Sequence, residues 1–222
     1  MIRFLSRILL ALLVTSTAHA QVPPEKAEQT LKLSKGLTAK LWASEPLFVN
    51  PTCMDVDHLG RVWVCESVNY RNKLRGMKEF VRPEGDRIVI LEDAKGDGKA
   101  TKATTFYQSP DILAPLGIAV AKDPVGPGYK VFVCQSPDIL VFTDKDGVGK
   151  ADGPPTKLLT GFGGFDHDHG VHGILIGPDM KLLQRRRHRR SRPASVRRQG
   201  PQVEQQRHRL PGRHHLALQH GR

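Results

Sequence analysis

The 222-residue chain has few of the residues on which several functional classes depend. It contains three cysteines, Cys53, Cys65 and Cys134, and none belongs to a Cys-x-x-Cys pair. A cysteine zinc site and a site for covalent haem attachment are therefore excluded. No stretch of a dozen residues has the 3.6-residue apolar period of an amphipathic helix, which argues against a helical fold. In an oxidising compartment three cysteines allow one disulfide and leave one free thiol.

The first twenty residues predict a cleavable secretory signal. Arg3 and Arg7 form a positively charged start, residues 8–14 are wholly apolar, and Ala18-His19-Ala20 has small residues at the two positions that a signal peptidase recognises. The apolar run is far shorter than the ~20 residues that span a bilayer. An uncleaved N-terminal anchor is the alternative. We therefore expect an exported, periplasmic or membrane-associated protein whose mature N-terminal segment is the polar stretch 21–35.

Positive charge is concentrated at the end of the chain. Of the net charge of +12, residues 184–222 carry +11, from twelve arginines and one glutamate, with no lysine. Five histidines and six glutamines add to this composition, which predicts a disordered tail. We interpret the tail as out-of-frame translation of a GC-rich coding sequence. The alternative is an arginine-rich arm for nucleic acid. Because the tail has no aromatic residue for base stacking, we expect no nucleic-acid partner.

Residues 36–183 have short apolar runs separated by Gly, Pro, Asn and Asp, a pattern typical of strands and tight turns. The segment Arg61-Val62-Trp63-Val64-Cys65-Glu66-Ser67 recurs as Lys130-Val131-Phe132-Val133-Cys134-Gln135-Ser136, and a third copy starts at Gly173. Repeats of roughly 40–70 residues built from short strands are typical of propeller blades. We predict an all-β fold, an incomplete β-propeller of two to three blades. In it Cys65 and Cys134 occupy equivalent positions and pack between neighbouring sheets.

A dense run of chemically active side chains, Asp166-His167-Asp168-His169, is followed closely by His172. Three interpretations stay open. A histidine has an ordinary pKa of about 6.5 and can act as a general base, with Asp168 or Asp166 orienting its ring. His167, His169 and His172 could instead supply ligands for zinc, copper or iron. The third interpretation is structural, with these side chains hydrogen-bonded to backbone at the central channel of the propeller.

Each complete repeat is followed by an acidic turn with a damaged form of the calcium-loop pattern, in which alternating carboxylates converge on one cation. In the second copy Asp144, Asp146 and Asp152 are present, but Val148 stands at a ligand position. The first copy lacks more of the ligands. We favour plain hairpin turns at both places, and the second copy is the candidate if calcium binds.

The run 168–179, Asp-His-Gly-Val-His-Gly-Ile-Leu-Ile-Gly-Pro-Asp, resembles a motif of glucose/sorbosone-type dehydrogenases, His-x-Gly-Gly-x-Leu-x-Phe-Gly-Pro-Asp-Gly. More broadly, the stretch from about Gly36 to Leu182 resembles the N-terminal half of planctomycete-type membrane-bound dehydrogenases. Supporting motifs are Pro51-Thr52-Cys53-Met54-Asp55-Val56-Asp57 and Gly60-Arg61-Val62-Trp63-Val64. The likeness covers about two thirds of the chain.

This resemblance implies a six-bladed quinoprotein propeller that uses pyrroloquinoline quinone and calcium. It implies that His169 takes the proton of a substrate hydroxyl while hydride leaves to the quinone, with Asp168 or Asp166 orienting the imidazole. The implied function is that of an exported dehydrogenase oxidising a sugar or alcohol. Its electrons would pass to a cytochrome c domain or protein, whose c-type haem belongs to a C-terminal part missing from this chain.

The sequence also departs from the family pattern. Val171 and His172 stand where the motif has Gly-Gly, and Met180 replaces a turn glycine. The quinone-binding and later calcium-binding positions would lie in blades that this chain lacks. We therefore expect the chain by itself to be inactive. The alternative function is a non-catalytic propeller that binds carbohydrate or protein partners.

Overall fold

The computed structural model describes residues 22–72, 75–164 and 170–185, together with the backbone of two further strands at 205–210 and 213–218. Asp166, His167, Asp168 and His169 lie outside the described residues, as does the predicted signal. The chain divides into two compact units, Met1–Ser44 and Glu45–Arg222.

The described part of the first unit contains one short helix, α1 (Pro24–Ala27), and a 3-10 turn (Glu28–Thr30). A proline at the first helical position is tolerated because that N–H would have no partner within the helix. The Glu28 carboxylate accepts a hydrogen bond from the backbone N–H of Leu41. Within the described ranges, no helix is long and apolar enough to cross a membrane.

The second unit is built from three four-stranded antiparallel sheets, which confirms the all-β prediction. The first has the strand order β1-β2-β3-β4 and the second β5-β6-β7-β8, so each is a meander of sequential strands. The third has the order β9-β10-β12-β11. The strands are β1 (Pro51–Val56), β2 (Val62–Glu66), β3 (Arg87–Glu92), β4 (Lys102–Gln108), β5 (Gly117–Lys122), β6 (Tyr129–Gln135), β7 (Asp138–Asp144), β8 (Thr156–Leu159), β9 (Gly173–Ile176), β10 (Leu182–Arg185), β11 (Gln205–Leu210) and β12 (Arg213–Leu218).

The repeated segment forms the second strand of each of the first two sheets. Cys65 of β2 pairs with Ile88 of β3, and Cys134 of β6 pairs with Ile139 of β7. Both cysteines are fully buried, and all three cysteines of the chain are free thiols. The equivalence and the burial that the repeat predicts for Cys65 and Cys134 are confirmed.

Two hydrophobic clusters hold the sheets together. The first joins the first two sheets around Trp63, whose ring meets that of Phe106 edge-on at 4.9 Å between centroids. The second cluster joins the second and third sheets and includes Ala119, Phe132 and Ile174. Fully burying one large apolar side chain contributes about 1.5–3 kcal/mol, so these clusters dominate the stability of the unit. In this packing β1 lies beside β5, and β5 lies beside β9.

Two strands lie within residues 184–222, for which the sequence predicts disorder. β12 pairs with β10, with Leu182 opposite Leu218 and Leu183 opposite Ala217, and β11 pairs with β12. The structure thus describes strands at 205–210 and 213–218 inside the segment for which composition predicts disorder. An edge strand presents unpaired backbone N–H and C=O groups, and an extended segment can satisfy them whatever its side chains. Composition carries no information about such backbone pairing.

Candidate functional site

The connections between strands lie at two opposite edges of the sheets, because neighbouring antiparallel strands run in opposite directions. Connections after even-numbered strands form one edge, which we call the loop edge. Connections after odd-numbered strands form the other, which we call the turn edge. The loop edge comprises residues 67–86, 109–116, 136–137 and 160–172, with 165–169 outside the description; the turn edge comprises 57–61, 93–101, 123–128, 145–155 and 177–181.

The connection 109–116 joins the loop edges of the first two sheets. The backbone N–H of Asp86 donates to the carbonyl of Ile112 at 2.9 Å, and the N–H of Ala114 donates to Asp86 Oδ2 at 2.8 Å. On the other side, Leu113 N–H donates to Gln135 Oε1 at 2.9 Å. A single segment therefore connects the long loop of the first sheet to the end of β6 in the second.

Glu66, the last residue of β2, places a fully buried carboxylate at the loop edge. Arg82 Nη1 and Arg87 Nη2 each lie 2.6 Å from one of its oxygens, and Val49 N–H donates to Oε1 at 2.9 Å. Burial alone would raise the pKa of Glu66, but the hydrogen bonds from Arg87 and Arg82 outweigh it and hold the pKa below its ordinary value. The carboxylate stays ionised and ties the loop 67–86 to the sheet.

A second buried carboxylate, that of Asp86, lies at the end of the same loop. Its Oδ1 accepts from Asn69 N–H at 2.9 Å, and its Oδ2 accepts from Ala114. Burial raises the pKa of Asp86 above its ordinary value, against the lowering effect of these backbone hydrogen bonds. Raised carboxyl pKa values occur in functional sites and in structural networks. Since both oxygens are engaged, Asp86 serves here as the anchor between two loops.

Backbone strain is concentrated at the loop edge. Among the described residues four non-glycine positions have positive φ, and three of them, Asn50 (49°), Arg71 (58°) and Ala114 (51°), lie at or beside this edge. Asn50 precedes β1 and is held by Ser67, whose N–H donates to the Asn50 carbonyl at 3.1 Å. Such conformations cost about 1–3 kcal/mol each and persist where the surroundings fix them, often at ligand-binding sites.

Of the three histidines predicted as site residues, the structure describes only His172. Its Nε2 is buried and has no hydrogen-bond partner among the described residues. The preceding residue, Val171, donates its N–H to Ser136 Oγ at 2.8 Å, and Phe162 N–H donates to the Pro137 carbonyl at 3.1 Å. The connection that carries the run is thus held at both of its described ends by the two residues between β6 and β7.

The acidic turn at 144–152 lies at the turn edge, whereas His172 lies at the loop edge. Asp144 accepts from the N–H groups of Val148 (3.1 Å) and Gly149 (2.8 Å), and Asp152 accepts from that of Lys145 at 3.2 Å. Within the described ranges no three His, Cys, Asp or Glu side chains form a group that could hold a metal ion. The structure therefore does not bring Asp144, Asp146 and Asp152 together around one cation, and these bonds cap a hairpin turn.

The turn edge has its own buried ion pair. Asp57 Oδ2 accepts from Arg61 Nε at 2.7 Å and from Trp63 Nε1 at 2.9 Å. The Arg61 guanidinium lies over the Tyr129 ring at 5.2 Å from its centroid, a cation–π contact between the first two sheets. These contacts link the first two sheets at the turn edge. The connection 109–116 links the same two sheets at the loop edge.

Sequence reasoning missed Glu66, Asp86 and Ser136 as residues of the site. A weak signal existed, because both complete repeats end in a polar residue followed by serine, Glu66-Ser67 and Gln135-Ser136. A strand that ends in buried polar residues needs partners from the loops around it. The partners of Glu66 come from 16 and 21 residues away, and nothing in local spacing identifies them.

Residues 23–222 match the model of a protein family described as Domain of unknown function (DUF7133). The chain belongs to this family. The matched range includes the whole loop edge, the turn edge and the arginine-rich tail. Comparison with curated proteins and with solved structures gave no match. Because the description of the DUF7133 family assigns no activity, function has to be argued from the site itself.

Proposed function

We propose that this chain supplies part of a β-propeller-type domain of an exported dehydrogenase that oxidises a sugar or an alcohol. Support comes first from architecture. The first two sheets are four-stranded meanders in chain order, as propeller blades are. Their first strands, β1 and β5, lie side by side, with β9 next in line, which is the arrangement of innermost strands around a propeller axis.

The observation that carries the proposal is the way the loop edge holds the described parts of the connection that, in the chain, precede and follow the histidine run. Glu66 and Asp86 fix the neighbouring loops, and Ser136 and Pro137 hold the two described ends of the connection 160–172. A catalytic site needs side chains held on a rigid frame, and loops that a scaffold positions are where such residues are usually found. The loop edge has both a rigid frame and loops that this frame positions.

In this proposal His169 takes the proton of a substrate hydroxyl, and Asp168 or Asp166 orients its ring. A histidine with an ordinary pKa of about 6.5 is mostly neutral at pH 7 and above and can accept that proton. A general base of this kind contributes about 10²–10⁴-fold to the rate. His172 follows His169 by three residues in the chain, and in this proposal it borders the substrate.

The described residues do not form a site for pyrroloquinoline quinone or calcium, the groups that the family resemblance implies. A quinone bearing carboxylates needs cationic partners, and Arg82 and Arg87 at the loop edge are already engaged by Glu66. No group of three or more His, Cys, Asp or Glu side chains that could hold a metal ion exists in the described part of the chain. We assign neither group to these residues and derive no step through them. A cytochrome c domain or protein is the proposed electron acceptor.

A second candidate is a non-catalytic propeller that binds carbohydrate or protein at the loop edge. The full engagement of Glu66 and Asp86 favours it, because every described carboxylate at the centre of this edge already has a structural role. A rigid edge with satisfied polar groups can bind a partner without any chemistry.

The test is isothermal titration of the full chain with a panel of sugars and alcohols, accompanied by dye reduction with added pyrroloquinoline quinone and calcium. We expect at least one sugar to bind, and the variant His169→Asn to weaken that binding about tenfold while His58→Asn, on the turn edge, leaves it unchanged. Sugar binding that His169→Asn does not affect would favour the binding module. Absence of binding to every compound in the panel would remove the dehydrogenase proposal.

A further inference from the structure

The internal repeat allows the two junctions between sheets to be compared position by position. Since Cys65 and Cys134 are equivalent, Ser67 at the end of β2 corresponds to Ser136 at the end of β6. Gly117 and Gly173 begin β5 and β9, the first strands of the following sheets. Counting back two residues from each glycine makes Pro115 the counterpart of Val171.

The two serines have different surroundings. Ser136 Oγ accepts a hydrogen bond from the Val171 N–H at 2.8 Å. Ser67 Oγ is buried and has no hydrogen-bond partner among the described residues. The cause lies in the counterpart position, because Pro115 has no N–H to donate. The hydrogen bond is therefore specific to the junction that carries the histidine run and is not a general feature of the repeat.

The backbone near Ser136 is shaped to allow this hydrogen bond. A methyl group on Gly170 would overlap Ser136 Oγ, so only glycine lets the connection approach the hydroxyl. A methyl group on Gly117 would likewise overlap the carbonyl oxygen of His172. Two glycines thus admit the backbone of 170–172 against the second sheet, and one hydroxyl fixes it there.

From these contacts we infer that Ser136 is the positioning residue for His172. The hydrogen bond holds Val171, the carbonyl of His172 packs against Gly117, and the His172 imidazole is left with its Nε2 buried. A buried ring nitrogen without a fixed partner is available to a neighbouring group or ligand at the loop edge. The inference deepens the proposed function and rests on it in one respect, namely that His172 borders the substrate.

The test compares the reaction of diethyl pyrocarbonate with each histidine in the full chain, mapped by mass spectrometry. In the wild type His172 should be carbethoxylated slowly and the exposed His58 rapidly. The variant Ser136→Ala should make His172 react about tenfold faster, because one buried hydrogen bond no longer holds the backbone. Gly170→Ala, which keeps the hydroxyl but blocks the approach, should have the same effect.

The matched control is Ser67→Ala, which removes an equivalent buried hydroxyl that has no hydrogen-bond partner among the described residues and should leave His172 as slow as in the wild type. Labelling with N-ethylmaleimide shows whether each variant is folded, since Cys65 and Cys134 are fully buried in the native chain. If Ser136→Ala leaves these thiols protected and His172 still slow, the inference is wrong. Equal acceleration by Ser67→Ala would also overturn it, because the effect would then be general loosening.

The outcome is separable from that of the proposed function. The labelling experiment needs no substrate, so it decides whether Ser136 positions His172 even if no sugar binds. Where a sugar does bind, Ser136→Ala should weaken its binding and Ser67→Ala should not. Faster labelling of His172 with unchanged sugar affinity would show that Ser136 positions a residue that lies outside the substrate site, which contradicts the functional half of the inference.

Discussion

Glu66 and Arg87 form a two-point ion pair, with Nη2 at 2.6 Å from Oε1 and Nε at 2.9 Å from Oε2. The carboxylate is fully buried, whereas the arginine side chain keeps 22% of its exposure. The same carboxylate binds Arg82, so one side chain pairs with two guanidinium groups. This arrangement ties the long loop 67–86 to both β2 and β3.

Removing the carboxylate is expected to destabilise the second unit strongly. Glu66→Ala leaves two arginines near each other without a counter-charge, and breaking a buried pair in this way costs about 3–5 kcal/mol. Glu92→Ala is the matched control, because its pair with Lys102 is more exposed, 24% for the glutamate and 56% for the lysine, and should be worth less than about 1 kcal/mol. Urea unfolding of both variants checks the difference, and equal losses would contradict it.

The ion pair also predicts how stability depends on pH. The pKa of Glu66 is lower in the folded chain than its ordinary value of about 4.3, so in acid the folded state binds fewer protons than the unfolded state. Its contribution is present above that value and is lost as pH falls through the folded pKa. Glu66→Gln should flatten this acid loss. Urea midpoints between pH 7 and pH 3 measure it, and parallel curves for both proteins would refute the assignment.

The three thiols should differ in reactivity in the native chain. Burial raises the pKa of Cys134 to about 12 and that of Cys65 well above its ordinary value, whereas Cys53 is partly exposed. The thiolate is the reactive form, so N-ethylmaleimide at pH 8 should label Cys53 first. All three should react at similar rates once concentrated guanidinium chloride has unfolded the chain. Early labelling of Cys134 would contradict the packing described above.

The interface between the first two sheets should depend on its aromatic core. Phe106 is 1% exposed and packs edge-on against Trp63. Phe106→Ala should cost about 3–5 kcal/mol, through lost burial and the cavity that remains. Val125→Ala, at a turn tip that is 96% exposed, should change stability by less than about 0.5 kcal/mol. Thermal and urea unfolding of the pair test this, and a small effect of Phe106→Ala would mean that the sheets do not pack as described.

The fold could largely be predicted because its signals are local. Short apolar runs between turn residues give the strands, and the repeated Val-aromatic-Val-Cys pattern places Cys65 and Cys134 at equivalent buried positions. The tail strands could not be predicted, since the pairing of β12 with β10 and of β11 with β12 depends on backbone groups and not on composition. The acidic turn at Asp144 showed the ambiguity of a short motif, because capping a hairpin and binding calcium require the same residues.

The candidate site was less predictable than the fold. The histidine run is visible in the sequence, but the residues that hold its connection, Ser136 and Pro137, come from another part of the chain. Glu66 and its arginine partners are separated by a long loop whose course no periodicity reveals. Contacts between distant segments are set by three-dimensional packing, and a single sequence does not contain them in readable form.

The central claim, that His169 accepts a hydroxyl proton from a bound sugar or alcohol, is tested most directly by the pH dependence of binding. The affinity of the full chain for the sugar that binds best should be measured by calorimetry between pH 5 and pH 8. A neutral imidazole accepts the hydroxyl hydrogen bond and an imidazolium cannot, so affinity should fall as the pH is lowered, and His169→Asn should abolish that fall. An affinity independent of pH, or a fall that persists in His169→Asn, would contradict the account.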